Sequence, residues 1–375
     1  MMKAPKVYVY QQDNWPNFFW NEGLVATALA NVRYKQGRVI GLTNTLGFTQ
    51  KNASQLETLA QDVLKSSEIE GELLDLQQVR SSLARKLGIS IAGMKESDRK
   101  VDGVVEMMLD ATKNYDERLS KERLFNWHAA LFPTGRNTMY KVNVAKYRDD
   151  KEGAMQVVSG AMGKEKVHFE APNAKLLNKE MSAFFTWVNK KPKIDEVLKA
   201  ALAHFWFVTI HPFDDGNGRI ARALSDLLLT RSEQGNQRYY SMSSAICKNR
   251  KQYYACLEKS QKGNLDLTEW LLWFLHCLDE ALTAAEKSYD TVLQKASFFD
   301  KHQKSKLNDR QRKMLNKLFD GIDGVLNTSK WAKMAKCSQD TAHRDILQLI
   351  DLKILKQAPG AGRSTNYVLR RIKTR

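Results

Sequence analysis

A helix stop, two glycines and two arginines are packed into twelve residues of this chain, His211-Pro212-Phe213-Asp214-Asp215-Gly216-Asn217-Gly218-Arg219-Ile220-Ala221-Arg222. An apolar helical run, Phe205 to Ile210, precedes them, and another, Ala223 to Leu229, follows. Pro212 ends the first run, because proline disfavours helical backbone in the residue before it. The chain re-enters a helix at about Gly218. Gly216 and Gly218 flank Asn217, so backbone N–H groups approach a ligand closely at a new helix N-terminus, an anion site suited to phosphates. Arg219 and Arg222, three residues apart, share a helical face and can clamp phosphate oxygens. A carboxylate beside phosphates invites magnesium, which takes one or two carboxylates plus substrate oxygens. His211, at the mouth of the loop, is a general base whose ordinary pKa suits neutral pH. Each part alone has a plainer reading: a Gly-Asn-Gly turn, two surface arginines, a His-Pro stop. Their combination within one loop is much harder to explain that way.

The loop resembles the Fic family signature, HPFx[D/E]GNGRxxR, at every fixed position. The resemblance extends over roughly Val101 to Leu282, including Leu124, Trp127, His128, Leu131, Phe132 and Pro133 upstream and Tyr253, Tyr254 and Leu257 downstream. It implies transfer of AMP from ATP to a Ser, Thr or Tyr hydroxyl of a protein. In that reading His211 removes the proton from the attacking hydroxyl, and Asp215 holds the Mg2+ that bridges the phosphates. Gly216, Asn217 and Gly218 cradle the phosphates, Arg219 and Arg222 bind their outer oxygens, and Phe213 anchors the loop in the core. Displacement at phosphorus needs mainly positioning and charge stabilisation, which such a loop provides. Tyr253 stands where family members contact the nucleotide, although a tyrosine on a helix is equally read as core. The stretch Val157 to Phe169 reads as a short hairpin closed by glycines. By the resemblance it is the flap that docks the target protein as an added strand.

A shorter match lies upstream. Ser66-Ser67-Glu68-Ile69-Glu70-Gly71 is similar to the family's inhibitory motif, [S/T]xxxE[G/N], through Ser66, Glu70 and Gly71. The resemblance implies that Glu70 pairs with Arg222, takes the space of the ATP γ-phosphate and blocks a productive pose. The alternative is a helix capping box of Ser67 with Glu70 three residues later. Relatives that act as kinases carry lysine where this chain keeps Gly218, which favours nucleotidyl transfer. Other relatives remove AMP from modified proteins, and Glu70 is placed to position a water for that reverse reaction. A competing class is a DNA-binding regulator with a silent Fic core, against which the intact loop argues.

The fold expected is mainly α: a helical N-terminal region with the inhibitory motif (1–100), a Fic core with its hairpin flap (101–296) and a C-terminal winged helix (307–375). In the first of these, Leu73, Leu76, Val79, Leu83 and Leu87 read as one helical face, and Trp15, Phe18, Phe19 and Trp20 as core aromatics. The winged helix is read from helices at Arg310–Phe319, Thr328–Ala335 and Gln339–Ile350 and strands at Ile354–Gln357 and Tyr367–Leu369, joined by Pro359–Arg363. Thr341, His343, Arg344 and Gln348 lie on its reading helix. Residues 301–375 hold 18 Lys and Arg against 6 Asp, which is +12 of the net +17, a charge that reads either as a surface for nucleic acid or as a solvated face that aids solubility. A dimer or partner surface is the other use of such a module, and a homodimer is left open.

With 43% hydrophobic residues the chain can bury a sizeable core. Four cysteines without CxxC spacing argue against a zinc site or a disulfide framework and suit a reducing cytoplasm. Met1 to Gln11 has no signal-peptide pattern, and no apolar run approaches the ~20 residues of a membrane span.

Overall fold

A helix that is apolar on every side is stable only where neighbours surround it. Glu196–Ile210 is such a helix, and in the computed structural model nearly all of its residues are buried. The structure describes residues 8–370 except 92, 138–139, 152, 161–162, 192, 236–237, 303–304, 306, 321, 323 and 359–364, together with no side chains at 49, 290–293, 296–297, 300 and 320. The described residues form fourteen α-helices and two two-stranded antiparallel hairpins, a mainly α fold as the sequence implied. The expected Pro359–Arg363 connection lies outside the described residues.

The chain divides into two compact units, Met1–Ala285 and Glu286–Arg375. The first begins with α1 (Glu22–Asn44), α2 (Phe48–Ile69), α3 (Leu76–Leu87), α4 (Arg99–Lys113) and α5 (Lys121–Leu131). A hairpin follows, β1 (Gln156–Ser159) with β2 (Lys166–Glu170), then α6 (Leu177–Asn189), α7 (Glu196–Ile210), α8 (Asn217–Glu233), α9 (Met242–Lys248) and α10 (Arg250–Gln261). The long α11 (Thr268–Lys301) runs from the first unit into the second. The pair α7 and α8 forms the centre of the first unit, with α4 against α8 and α2 against α3 and α9.

Polar side chains at the N-caps of α3, α4, α5 and α7 (Asp75, Asp98, Ser120 and Asp195) each accept from a first-turn N–H. The Asp75 cap also explains a departure from the sequence reading. It fixes the start of α3 at Leu76, so Leu73 lies outside the helix and is 85% exposed, not on its apolar face. The aromatics near the N-terminus are also divided. Trp15 and Phe18 pack edge-on against Trp206, but Phe19 is turned to solvent while its backbone pairs with that of Leu265 and Leu267.

α2 is fastened to α8 through buried charge. Arg238 reaches both Asp62 of α2 and Asp226 of α8, and Asp62 also accepts from Ser241 Oγ at 2.6 Å. Burial, with the Asp226 charge next to it, pushes the Asp62 carboxyl up to about 7.

In the second unit α12 (Asp309–Asp320), α13 (Thr328–Ala335) and α14 (Gln339–Asp351) precede the hairpin β3 (Leu355–Gln357) and β4 (Tyr367–Leu369). Trp331, Ile346, Leu349, Ile354 and Leu355 form its core, and Leu326 adds a backbone bridge to Tyr367.

Candidate active site

The chain leaves α7 through His211, whose φ of +52° lies in the left-handed region. A non-glycine residue held there costs ~1–3 kcal/mol and persists only where its surroundings over-determine it. Arg148 supplies that restraint. Its Nε donates to the His211 carbonyl at 2.8 Å, its backbone N–H to the Pro212 carbonyl at 2.9 Å, and its other nitrogens to Asp150 and the Pro172 carbonyl. Asn217 closes the loop from the other side, accepting from the Phe213 N–H at 3.1 Å and donating to the Phe213 carbonyl at 2.8 Å. The Asn217 side chain is thus spent on holding Phe213, which is fully buried as the sequence implied.

His128 adds a third tie. Its Nδ1 accepts from the Ala145 N–H at 3.1 Å, so Nε2 carries the proton and donates to the Asp215 carbonyl at 3.2 Å. The ring stacks on Phe213 at 4.1 Å, and burial lowers its pKa to about 4. The Asp215 carboxylate accepts from Asn137 Nδ2 at 2.8 Å and from the Gly216 N–H at 2.5 Å. It retains partial exposure beside Arg219. A lone carboxylate next to a phosphate site fits magnesium, which fills its remaining positions with substrate oxygens and water.

α8 starts at Gly216, which offers no side-chain cap, unlike the helices capped by aspartate or serine. No cap side chain therefore takes its first-turn N–H groups, the arrangement by which a helix N-terminus can meet an anion. Three and six residues beyond Gly216, Arg219 and Arg222 are almost completely buried, and Arg219 Nε and Arg222 Nη1 have no hydrogen-bond partner among the described residues. Buried guanidinium donors left open point to an anion.

The other donors of both arginines are taken by the turn after α2. Arg222 Nε donates to Ser66 Oγ at 2.9 Å, and its Nη2 to the Ser66 carbonyl at 2.8 Å and to Glu70 Oε1 at 2.9 Å. Gly71, at φ +82°, makes the left-handed turn that ends α2 and aims Glu70 inward. A Cβ on Gly218 would overlap the Glu70 carboxylate, so a side chain there would push the acid out of its present position on the loop. Ser67 sits in the last turn of α2, far from any N-cap, which rules out the capping-box alternative. One contact has no counterpart in the sequence reading: Glu72 Oε2 pairs with Arg219 Nη1 at 2.7 Å, and Lys100 holds the other Glu72 oxygen at 2.9 Å.

His211 Nδ1 faces the Val208 carbonyl at 3.3 Å. A carbonyl only accepts, so Nδ1 carries the proton and Nε2 keeps its lone pair. Burial, followed by the Arg148 charge, lowers the His211 pKa to about 4, so the ring is neutral at pH 7. His211, Gly218, Glu70 and Tyr253 line one cavity of about 600 Å³ with residues of the β1–β2 hairpin. Tyr253 is 2% exposed, and its hydroxyl is turned inward to His204 Nε2 at 2.9 Å, so only the ring forms part of the wall. A larger cleft near Tyr115 has no such constellation, since its Lys199 and Arg231 are bound to backbone carbonyls.

Sequence reasoning missed Arg148, Asn137 and Glu72. His128 stood in the upstream match without a role. Arg148 carries no local signal, because its partners are backbone carbonyls of distant loops.

Residues 118–229 match the Fic/DOC family model, and residues 8–89 match a domain of unknown function, DUF4172. Two curated relatives are named protein adenylyltransferase Fic. The one from Nematostella vectensis is 24% identical over 239 residues, 61% of this chain and 49% of that protein. The one from Culex quinquefasciatus is 25% identical over 236 residues, 61% of this chain and 42% of that protein. This chain therefore spans about half the length, or less, of these relatives. A Fic family protein of known structure from Desulfovibrio desulfuricans G20 superposes with a TM-score of 0.54 at 18% identity, covering 95% of this chain and 99% of that one. The fold is shared, and the chain carries a Fic/DOC family domain built around His211–Arg222.

Proposed function

We propose that this chain is a protein adenylyltransferase that moves AMP from ATP to a Ser, Thr or Tyr hydroxyl of a protein and is held shut by Glu70. The observation that carries the reading is the single cavity in which a neutral His211 meets Gly218 at the uncapped start of α8, with the Glu70 carboxylate on the Arg222 side. The target hydroxyl gives its proton to His211 Nε2 as its oxygen attacks the α-phosphorus, and pyrophosphate leaves. The α8 amides with Arg219 and Arg222 receive the phosphate charge. Asp215 is the residue to hold Mg2+, which would neutralise phosphate charge when bound. While Glu70 and Ser66 occupy Arg222, the γ-phosphate has no place to bind. The target segment docks along the β1–β2 hairpin, where Val158 and Val167 are exposed.

The reverse reaction is the second reading, favoured by Glu70 and His211 lining the same cavity, where the acid could hold a hydrolytic water. The second unit we read as a winged helix that binds DNA, with His343 and Arg344 exposed on α14. Gln348 is also exposed but accepts from Gln311, and the Thr341 hydroxyl is bonded to the Ser338 cap.

Mass spectrometry of the purified chain with ATP and Mg2+, alone and with a lysate, tests the assignment. AMP should accumulate on protein with Glu70→Gly and not with His211→Ala. If neither variant transfers AMP and the wild type strips it from modified protein, the reverse reaction is the assignment. Silence in both directions sinks both readings.

A further inference from the structure

The strands of the β1–β2 hairpin have four and five residues, and an isolated two-stranded hairpin is marginal at best in water. Among the described residues of these strands only Phe169 is buried. The place where the hairpin lies is therefore set by what packs on Phe169 and by the ties beside it. One tie is His168, whose Nδ1 lies 2.6 Å from Glu258 Oε2 on α10. Phe169 and Val157, paired across the strands, also line the cavity that holds His211. A shift of the hairpin thus moves one wall of that cavity.

The aromatic packing on Phe169 comes from far away in the sequence. A short 3-10 helix, Val9–Gln11, buries Val9 and is closed on Tyr8: the Gln11 N–H donates to the Tyr8 carbonyl at 2.9 Å, and the Tyr8 N–H to Gln11 Oε1 at 3.0 Å. This turn stacks the Tyr8 and Tyr10 rings at 5.8 Å. Both rings meet Phe169 edge-on, with centroids 5.1 and 6.1 Å away, the geometry aromatic pairs favour. A few residues later the same segment is fixed to the helices behind the site. Trp15 Nε1 donates to Glu180 Oε2 of α6 at 2.9 Å, and Trp15 and Phe18 lie edge-on to Trp206 of α7. α7 is the helix that ends at His211. Residues 8–18 therefore join the buried anchor of the hairpin to the helix that delivers the base.

We infer that the segment Tyr8–Phe18 is a strut that sets the distance of the β1–β2 hairpin from His211, with Tyr8 and Tyr10 as positioning residues for the protein substrate. The inference rests on the AMP-transfer reading, in which the target docks along this hairpin. A strand edge fixes a target segment by backbone hydrogen bonds, so the height of the edge decides where the target hydroxyl stands relative to His211 Nε2. A misplacement of about 1 Å at that point is enough to slow transfer severely. Tyr8 and Tyr10 touch neither nucleotide nor target in this reading, and they act through Phe169. Their contact with it is ring to ring, so phenylalanine can replace both and alanine cannot.

Two measurements on the full chain in the Glu70→Gly background test this. In hydrogen exchange followed by mass spectrometry, the amides of residues 156–170 should exchange about tenfold faster when Tyr8→Ala and Tyr10→Ala are combined, and no faster with Tyr8→Phe and Tyr10→Phe. AMP transfer to lysate proteins with ATP and Mg2+ should fall about tenfold in the alanine pair and hold in the phenylalanine pair. The Kd for ATP should stay within about threefold in both, because the α8 loop holds the phosphates. Unchanged exchange in the alanine pair overturns the strut, and faster exchange with unchanged transfer overturns the positioning role. A loss of ATP affinity as large as the loss of transfer, or a phenylalanine pair as slow as the alanine pair, also overturns it, since the segment would then support the fold as a whole. No transfer by the Glu70→Gly parent removes the AMP-transfer reading and the substrate role with it, while the exchange result still decides the strut. Tyr8→Ala alone, which leaves Tyr10 on Phe169, serves the same comparison if the pair does not fold.

Discussion

Two carboxylates, two residues apart, hold the two arginines of one loop. Glu70 pairs with Arg222 and Glu72 with Arg219, both through hydrogen bonds to a nearly buried guanidinium. A hydrogen bond to a charged group contributes ~1.5–3 kcal/mol, and ~1.4 kcal/mol is a tenfold change in affinity. Glu70→Gly alone therefore leaves Arg219 tethered, and adding Glu72→Gln should tighten ATP binding by about a further tenfold. A fluorescence titration decides this, and identical Kd values for the single and double variants would show that Glu72 plays no part in the block. A different residue sets a pH dependence. His204 is fully buried, donates from Nδ1 to Ser225 and accepts the Tyr253 hydroxyl, and burial lowers its pKa to about 3. The unfolded chain takes up this proton near 6.5 and the folded chain does not, so its share of stability is present above pH 6.5 and lost as pH falls toward 3. Between pH 7 and 5 the wild type should lose ~2 kcal/mol more than His204→Gln does. Urea unfolding followed by tryptophan fluorescence at both pH values measures it, and parallel losses would mean His204 is not buried neutral.

The elements were legible in proportion to their periodicity. α7 and α8 announced themselves through apolar runs, and the loop between them through its proline and glycines. Legibility failed where a local signal met a distant partner. Leu73 continues a leucine pattern, yet Asp75 caps the helix after it and Glu72 is drawn toward Arg219. Ser66, Glu70 and Gly71 could be recognised as a motif whose resemblance pairs Glu70 with Arg222, as the structure has it, but nothing local marked Glu72 for Arg219. Arg148 was illegible for a related reason: it holds carbonyls, and a carbonyl leaves no mark in the side-chain sequence. The prediction at this scale concerns the loop as a body. Arg148→Lys keeps the charge and loses the fork, leaving the His211 and Pro172 carbonyls short of a donor. AMP transfer in the Glu70→Gly background should drop by at least about tenfold, since misplacement of a catalytic group is costly. Initial-rate labelling measures it, and an unchanged rate would mean the strained His211 backbone is held by something else.

For the whole molecule, charge is the property that belongs to neither loop nor helix. Residues 1–300 carry +5 of the net charge and residues 301–375 carry +12, and the second unit has its own core. If α14 reads DNA, affinity is dominated by phosphate contacts and log K falls linearly with log salt at ~0.9 per phosphate neutralised. Arg344→Ala should reduce that slope by about one if Arg344 meets a phosphate, with fluorescence anisotropy of duplex DNA across a salt series as the measurement. A flat salt dependence would reassign the charged face to solubility or to a protein partner. Across the first unit, a last consequence follows from the place where Glu70 lies. It rests where a side chain at position 218 would have to stand, so the Glu70 contact and the loop shape are inherited as one trait. A lineage can lose that contact through a codon change in either of two stretches some 150 residues apart, and recovers it only when both are right.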